Sequence, residues 1–332
     1  MKPFAYLRPG SVAEAVRACA EHPGARFLGG GTNLVDLMKL GVESPGLLVD
    51  VSRLPLDRVT RTDDGGLRIG ATVRNSDLAA HPGVRTDYPA LSQALLAGAS
   101  GQLRNTATTG GNLLQRTRCP YFQDISKPCN KRLPGSGCPA REGAHRDLAV
   151  LGHSQDCVAT NPSDMAVALS ALDATVLLHG PEGERTVPVT GFHRLPGGNP
   201  DQDTVIRPGE LITEVVLPPR QDGAVSLYRK ARDRASYAFA LASVAAVMTV
   251  RDGRVEQVSL AFGGLAHQPW RARAAEAVLR DAPATDETFA RAVDTELEAA
   301  RPLRDNGFKV ALARNLAIGA LTRLTARTAP PR

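Results

Sequence analysis

Apolar positions in SVAEAVRACAEH, residues 11–22, recur at helical spacing: Val12, Ala15, Val16 and Cys19 fall on one face, and Ser11 stands where an N-cap belongs. Cys19 is expected there as a small buried hydrophobe. Shorter apolar runs predict strands: one leading into Gly29, LLVDV at 47–51 and LRIGA at 67–71, an alternation of the α/β or α+β kind. A second apolar helix is expected at 88–99. Another is entered through Asn161, Pro162 and Ser163 and is followed by a strand at 175–179. The strand expected at 210–219 ends in a double proline, which marks a linker and a domain boundary. In YRKARDRASYAFALASVAAVMTV, residues 228–250, the alanine-rich stretch fits a helix or a buried strand equally. A strand at 255–265 and helices at 271–280, 287–300 and 308–324 make a small α+β module, and TARTAPPR reads as a disordered tail.

The 332 residues suggest about two domains, and 42% hydrophobic with 22% charged residues is the balance of a soluble protein. No apolar run approaches the roughly 18 residues of a membrane helix, and MKPFAYLRPGS lacks the apolar centre of a secretory signal. The formal charge of +6 invites a nucleic-acid reading. Dispersed basic residues, 4% aromatics and the lack of a recognised module argue against it and favour an acidic subunit or an anionic cofactor as the partner of a basic surface.

Four of the five cysteines, Cys119, Cys129, Cys138 and Cys157, crowd into one Pro/Gly-rich loop with spacing C-x9-C-x8-C-x18-C. No interval is the short C-x2-C pair of a zinc ribbon. Disulfides suit short secreted chains better than one of this length. Four thiolates on separate stretches of backbone fit the four iron corners of a cubane cluster, and the basic residues Arg116, Arg118, Lys127, Lys131, Arg132, Arg141 and Arg146 outnumber the acids beside them. Cluster, zinc and disulfide all stay open on these residues, with the cluster favoured. Tyr121 and Phe122 beside Cys119 are expected to pack rather than to shield a cofactor. The seven histidines form no H-x-x-x-H pair and read as structural.

Two glycine turns carry the other candidate chemistry. RFLGGGTNL, residues 26–34, follows a strand, and three successive glycines bring backbone N–H groups up to an anion such as a pyrophosphate. Neither a P-loop nor a Rossmann fingerprint is present. RNTATTGGNLLQ, residues 104–115, repeats the chemistry, and two such turns suit a dinucleotide. RFLGGGTNLVDLMKLG, SGQLRNTATTGGNLLQ, CVATNPSDMAVALSALDA and YRKA together resemble, in order and across nearly the whole chain, the FAD-binding medium subunit of the molybdenum hydroxylases, the xanthine dehydrogenase and aldehyde oxidoreductase family. The cysteine loop resembles the branch of aldehyde oxidoreductase and hydroxybenzoyl-CoA reductase flavoproteins that carries an extra [4Fe–4S] cluster.

The resemblance implies an α+β protein. A two-lobed FAD-binding domain of the vanillyl-alcohol-oxidase (PCMH) type would span 1–219, with the cluster loop at 116–160, before a smaller α+β domain at 220–325 and a tail at 326–332. It implies FAD held by Arg26, Phe27, Leu28, Gly29, Gly30, Gly31, Thr32, Asn33 and Leu34 in the first turn and by Thr108, Gly111 and Asn112 in the second. Asp164 would bind the ribityl or adenosine portion, Ile212 would meet the flavin, and Lys230 would stabilise its reduced anionic form. Gly29 departs from the alanine common in relatives. A [4Fe–4S] cluster would sit on Cys119, Cys129, Cys138 and Cys157. The implied activity is electron transfer in an aldehyde oxidoreductase, with a molybdenum–pterin large subunit, a [2Fe–2S] small subunit and an external acceptor. Such a heterotrimer is either exported folded with a twin-arginine-signal partner to the periplasm or kept in the cytoplasm. A xanthine dehydrogenase-like or hydroxybenzoyl-CoA reductase-like complex is the near alternative. A free-standing flavin oxidase would need a catalytic base that the sequence does not offer, and a zinc-stapled scaffold would hold no flavin.

Overall fold

The computed structural model describes residues 1–328 and contains three sheets. Near the N-terminus, Leu47–Asp50 runs parallel between Ala5–Leu7 and Arg26–Leu28. The helix Val12–Glu21 packs on this sheet through Ala15, Val16, Ala18 and Cys19, as its periodicity requires, and Ser11 caps it by accepting from the Glu14 amide at 3.2 Å. Burial raises the Cys19 thiol to about 11, which suits a packing residue.

A five-stranded antiparallel sheet follows, ordered Val59–Arg61, Leu67–Gly70, Leu211–Leu217, Thr175–Gly180 and Gly183–Pro188. Thr175–Gly180 alternates half-buried and buried positions, the mark of a strand with one face on a core. The largest core joins this sheet to the helices Asn75–Ala80, Pro89–Ala97 and Asp164–Ala171.

The alanine-rich stretch resolves into antiparallel strands, Val225–Ala231 and Ala242–Arg251, the latter pairing onward with Arg254–Gly263 and thence with Trp270–Arg271. Residues 242–246 are all buried, because this four-stranded sheet is covered on both faces and so shows no alternation. Pro89–Ala97 and Asp164–Ala171 pack against it, as does the helix Phe308–Thr328; Arg273–Leu279 and Asp286–Leu297 complete the second core. Phe308–Thr328 runs through residues 325–328, the start of the stretch expected as a tail, because its buried Leu321 and Leu324 continue the core face. The rest of that tail lies outside the described residues. The α+β class expected from the sequence holds.

The cysteine loop has little regular structure beyond the short turns Pro120–Gln123 and Pro139–Arg141. Polar side chains of the C-terminal module hold it. Asn306 Nδ2 donates to the Ala149 carbonyl at 3.1 Å, and Lys309 Nζ donates to the carbonyls of Asp147, Leu148 and Gly264 at 2.9, 2.8 and 2.6 Å. The buried His145 accepts from the Asp305 amide at 3.1 Å.

Candidate functional site

The first glycine turn closes the strand Arg26–Leu28 and opens the helix Leu34–Lys39. Gly31 takes φ +72°, a left-handed conformation that disfavours side chains, and a Cβ on Gly30 would collide with the Thr106 carbonyl. A Cβ on Gly29 would come within 2.8 Å of Thr108 Oγ1. The two turns therefore pack directly against one another, and only glycine permits it. Thr108 caps the helix Thr109–Leu113, its hydroxyl accepting from the Gly111 amide at 3.2 Å. Asn112 Oδ1 accepts from Ser163 Oγ at 2.6 Å and from Gln115 Nε2 at 2.9 Å, tying the second turn to the start of Asp164–Ala171.

Both turns open onto a cavity of about 560 Å³, a cofactor-sized space. Thr32, Asn33, Gly111, Asn112, Asp164 and Lys230 line it. Arg26, Phe27, Leu28, Gly29, Gly30, Gly31, Leu34 and Thr108 do not; the glycines and Thr108 form the packed seam behind it. Ile212 is buried beneath Gly110, so its expected meeting with a flavin has no surface on this cavity. Asn33 Oδ1 accepts from the Arg116 amide at 3.0 Å, whereas its buried Nδ2, and the buried Oδ1 of the cavity-lining Asn75, have no hydrogen-bond partner. An unmet donor and an unmet acceptor on the wall of a cavity between two glycine turns suit a polar, phosphate-bearing ligand. A dinucleotide fits this cradle.

Asp164 and Lys230 are brought together rather than presented separately. Lys230 Nζ lies 2.7 Å from Asp164 Oδ2 and also donates to the Ala97 carbonyl at 3.2 Å, while the Tyr228 hydroxyl donates to the other carboxylate oxygen. Burial, then the Asp164 charge, pushes the Tyr228 hydroxyl well above its usual value of 10. Two charges this deeply buried hold each other, so Lys230 stands on the cavity wall as half of an ion pair. Further cationic lining comes from Arg118, one of the cysteine loop's basic residues, and from Arg234, which carried no motif. Arg118 pairs with Asp36 at 3.0 Å and lies over the Phe239 ring, and Arg234 lies over Tyr237. Tyr237 sits at φ +51°, a strained conformation for a tyrosine. The only sequence signal was the interleaving of basic and aromatic residues in RDRASYAF.

The four loop cysteines converge. Cys119, Cys129, Cys138 and Cys157 all line one narrow cavity of about 10 Å³, walled by Phe122, Ala140 and Val158. All are free thiols, which sets disulfides aside. Among the described residues no group of three or more His, Cys, Asp or Glu is placed, as it stands, to hold a metal ion. Backbone amides favour the thiolate at three of the sulfurs: those of Phe122 and Tyr121 at Cys119, of Val158 and Ala140 at Cys138, and of Ala159 at Cys157. Burial nonetheless raises Cys119 to about 11 and Cys157 to about 12, so these thiols stay protonated unless something electrophilic takes the proton's place. Seating a cluster requires the thiols to part, and amide donors to sulfur are the contacts that a thiolate-ligated cluster uses.

The loop's basic residues are less free than their number suggests. Arg116 bridges Glu43 and Asp203 at 2.7 and 2.8 Å and lies over the Phe122 ring, Arg132 donates to the carbonyls of Tyr121 and Phe122, and Arg141 donates to that of Ser154. Phe122 packs, as expected, and Tyr121 accepts the Ala144 amide through its hydroxyl. His145, His193 and His267 are buried and bonded to backbone, consistent with structural roles.

Comparison with known proteins agrees with this geometry. Residues 2–220 match the family described as the FAD binding domain in molybdopterin dehydrogenase, and 226–328 match the CO dehydrogenase flavoprotein C-terminal domain. The chain is 56% identical over 317 residues to the aldehyde oxidoreductase FAD-binding subunit PaoB of Escherichia coli (strain K12), covering 95% of this chain and 96% of the relative. It is 29% identical to the glyceraldehyde dehydrogenase medium chain of Sulfolobus acidocaldarius, covering 82% of this chain and 79% of the other. Among solved structures, carbon monoxide dehydrogenase from Hydrogenophaga pseudoflava lacking the Mo-pyranopterin moiety superposes with a TM-score of 0.78 at 28% identity, over 99% of this chain and 100% of that one.

Proposed function

The chain belongs to the family of FAD-binding medium subunits of the molybdenum hydroxylases, and on that premise we propose that it is the FAD- and [4Fe–4S]-bearing electron-transfer subunit of a molybdenum-dependent aldehyde oxidoreductase. Its 56% identity, along nearly its whole length, to an aldehyde oxidoreductase FAD-binding subunit is the observation that carries the reading. Oxidation of the aldehyde to the acid belongs to a molybdenum–pterin partner, and a second partner holds [2Fe–2S] clusters. This chain keeps its two groups in place beside them and within reach of an external acceptor.

FAD, when bound, supplies an acceptor for two electrons that can be released one at a time. The chain's own residues supply the rest. The back-to-back turns place Thr32, Asn33, Gly111 and Asn112 on the cavity wall, where they would hold the pyrophosphate, with the unpartnered, buried Asn33 Nδ2 as a donor. The Asp164–Lys230–Tyr228 group forms a buried polar wall whose carboxylate is fixed from both sides. Arg118 and Arg234, each lying over an aromatic ring, bring positive charge. Cys119, Cys129, Cys138 and Cys157 would hold the cluster as thiolates, with the five amides that favour the thiolates stabilising its charge. The free-standing oxidase gains no support, because the buried acid and base of the cavity wall are already paired.

The purified assembly should be yellow-brown, with FAD and with iron and acid-labile sulfide in excess of two [2Fe–2S] clusters. Cys129→Ser should remove that excess and leave the flavin. Iron and sulfide unchanged by the substitution would exclude Cys129 as a ligand.

A further inference from the structure

Lys131 is a fully buried cation that the cradle for FAD does not use. Two residues after Cys129, its side chain is 1% exposed, and Nζ donates to the Pro200 carbonyl at 2.7 Å and to the Asp203 carboxylate. Lys131 and Cys157 line the same narrow cavity, together with Cys119, Cys129 and Cys138, and the Lys131 charge favours the Cys157 thiolate. On its other side stand Asp203, shared with Arg116 Nε at 2.8 Å, and His267, whose Nε2 lies 3.8 Å from Asp203. Burial, then Lys131, lowers His267 to about 4, and burial also lowers His193, so both imidazoles are neutral; the charged side chains lining the cysteine cavity are Lys131 and Asp156, with Asp203 paired to Lys131 and to Arg116.

We propose that Lys131 and Asp203 form a fixed charge pair that sets the reduction potential of the centre held by Cys157, Lys131 raising it and Asp203 restraining it. The inference rests on the [4Fe–4S] reading above. Adding an electron to a thiolate-ligated centre adds negative charge at the sulfurs, and a desolvated cation beside one of them favours that state more strongly than a surface lysine would. Asp203 tempers the effect and makes burial of the ammonium tolerable. A purely structural lysine, fastening the loop to Pro200 and Asp203, would give a different pattern. Breaking that fastening from either end would loosen the loop in the same way.

The sign of the shift separates these roles. In potentiometric titrations of the intact assembly, followed by the paramagnetic signal of the iron–sulfur centre additional to [2Fe–2S], Lys131→Met should disfavour reduction at least tenfold, a fall of about 59 mV for one electron. Asp203→Asn should move the potential the opposite way, and Lys131→Arg should restore most of the wild-type value. Shifts of equal sign in Lys131→Met and Asp203→Asn, or no shift in either, would overturn the inference while leaving the cluster in place. Should Lys131→Met fail to assemble, Asp203→Asn and Lys131→Arg decide it. A wild-type assembly with no additional iron–sulfur signal would remove the cluster reading itself, and this inference with it.

Discussion

The glycine seam and the cysteine loop solve the same problem, fixing irregular backbone around a cavity, in opposite ways. In the seam the fit comes from atoms that are missing: Gly30 leaves no room for a Cβ beside Thr106, and a threonine cap fixes the neighbouring helix. In the loop it comes from side chains that are added. Asn306, Lys309 and His145 take up carbonyls and amides that no strand or helix satisfies. A seam of this kind depends on what its residues lack, whereas the loop depends on side chains 160 or 161 positions away.

Gly30→Ala should break the seam most severely. Overpacking against backbone rather than against a mobile side chain costs about 3 kcal/mol, and flavin content and thermal midpoint should both fall. Gly29→Ala meets a hydroxyl that can rotate away, so the loss should be nearer 1 kcal/mol, the worth of the Thr108 cap. Equal damage from the two would mean that the seam is not a matter of backbone approach.

Lys309→Met tests the other side. It removes the ammonium from three carbonyls, two of them in buried bonds, at about 2–3 kcal/mol, and should lower iron and sulfide while FAD is retained. Flavin lost in step with iron would erase the distinction between the two regions.

The smallest effect concerns acid. Lys131 and Arg116 hold the Asp203 carboxyl well below its ordinary 3.8 despite burial. The folded state therefore binds this proton less readily than the unfolded chain. The stability that Asp203 contributes is complete above about pH 4 and is lost as pH falls toward the folded value. Urea midpoints at pH 5, 4 and 3 should decline less steeply in Asp203→Asn than in the wild type.

Much of this was legible in the sequence where a local rule applied. Ser11 and Ser163 cap the helices expected after them, and LLVDV and LRIGA form strands. The stretch 228–250 stayed ambiguous because a sheet covered on both faces loses its two-residue period, so that a run such as ASVAAVM carries no directional signal. At the site, cysteines and glycines declared themselves by density. Pairings across long separations did not: Lys131 meets Asp203 72 positions away, and Lys230 meets Asp164 66 positions away. From composition alone both lysines read as surface or cofactor-facing cations.

The dependence of the cysteine loop on Lys309 and Asn306 has a consequence for biogenesis. Both residues are translated well over a hundred positions after Cys157, so during synthesis the four thiols emerge before these fastenings can form. On the proposed cluster reading, assembly factors delivering iron and sulfide would meet a loosely held strap, and release of the finished polypeptide from the ribosome would close it.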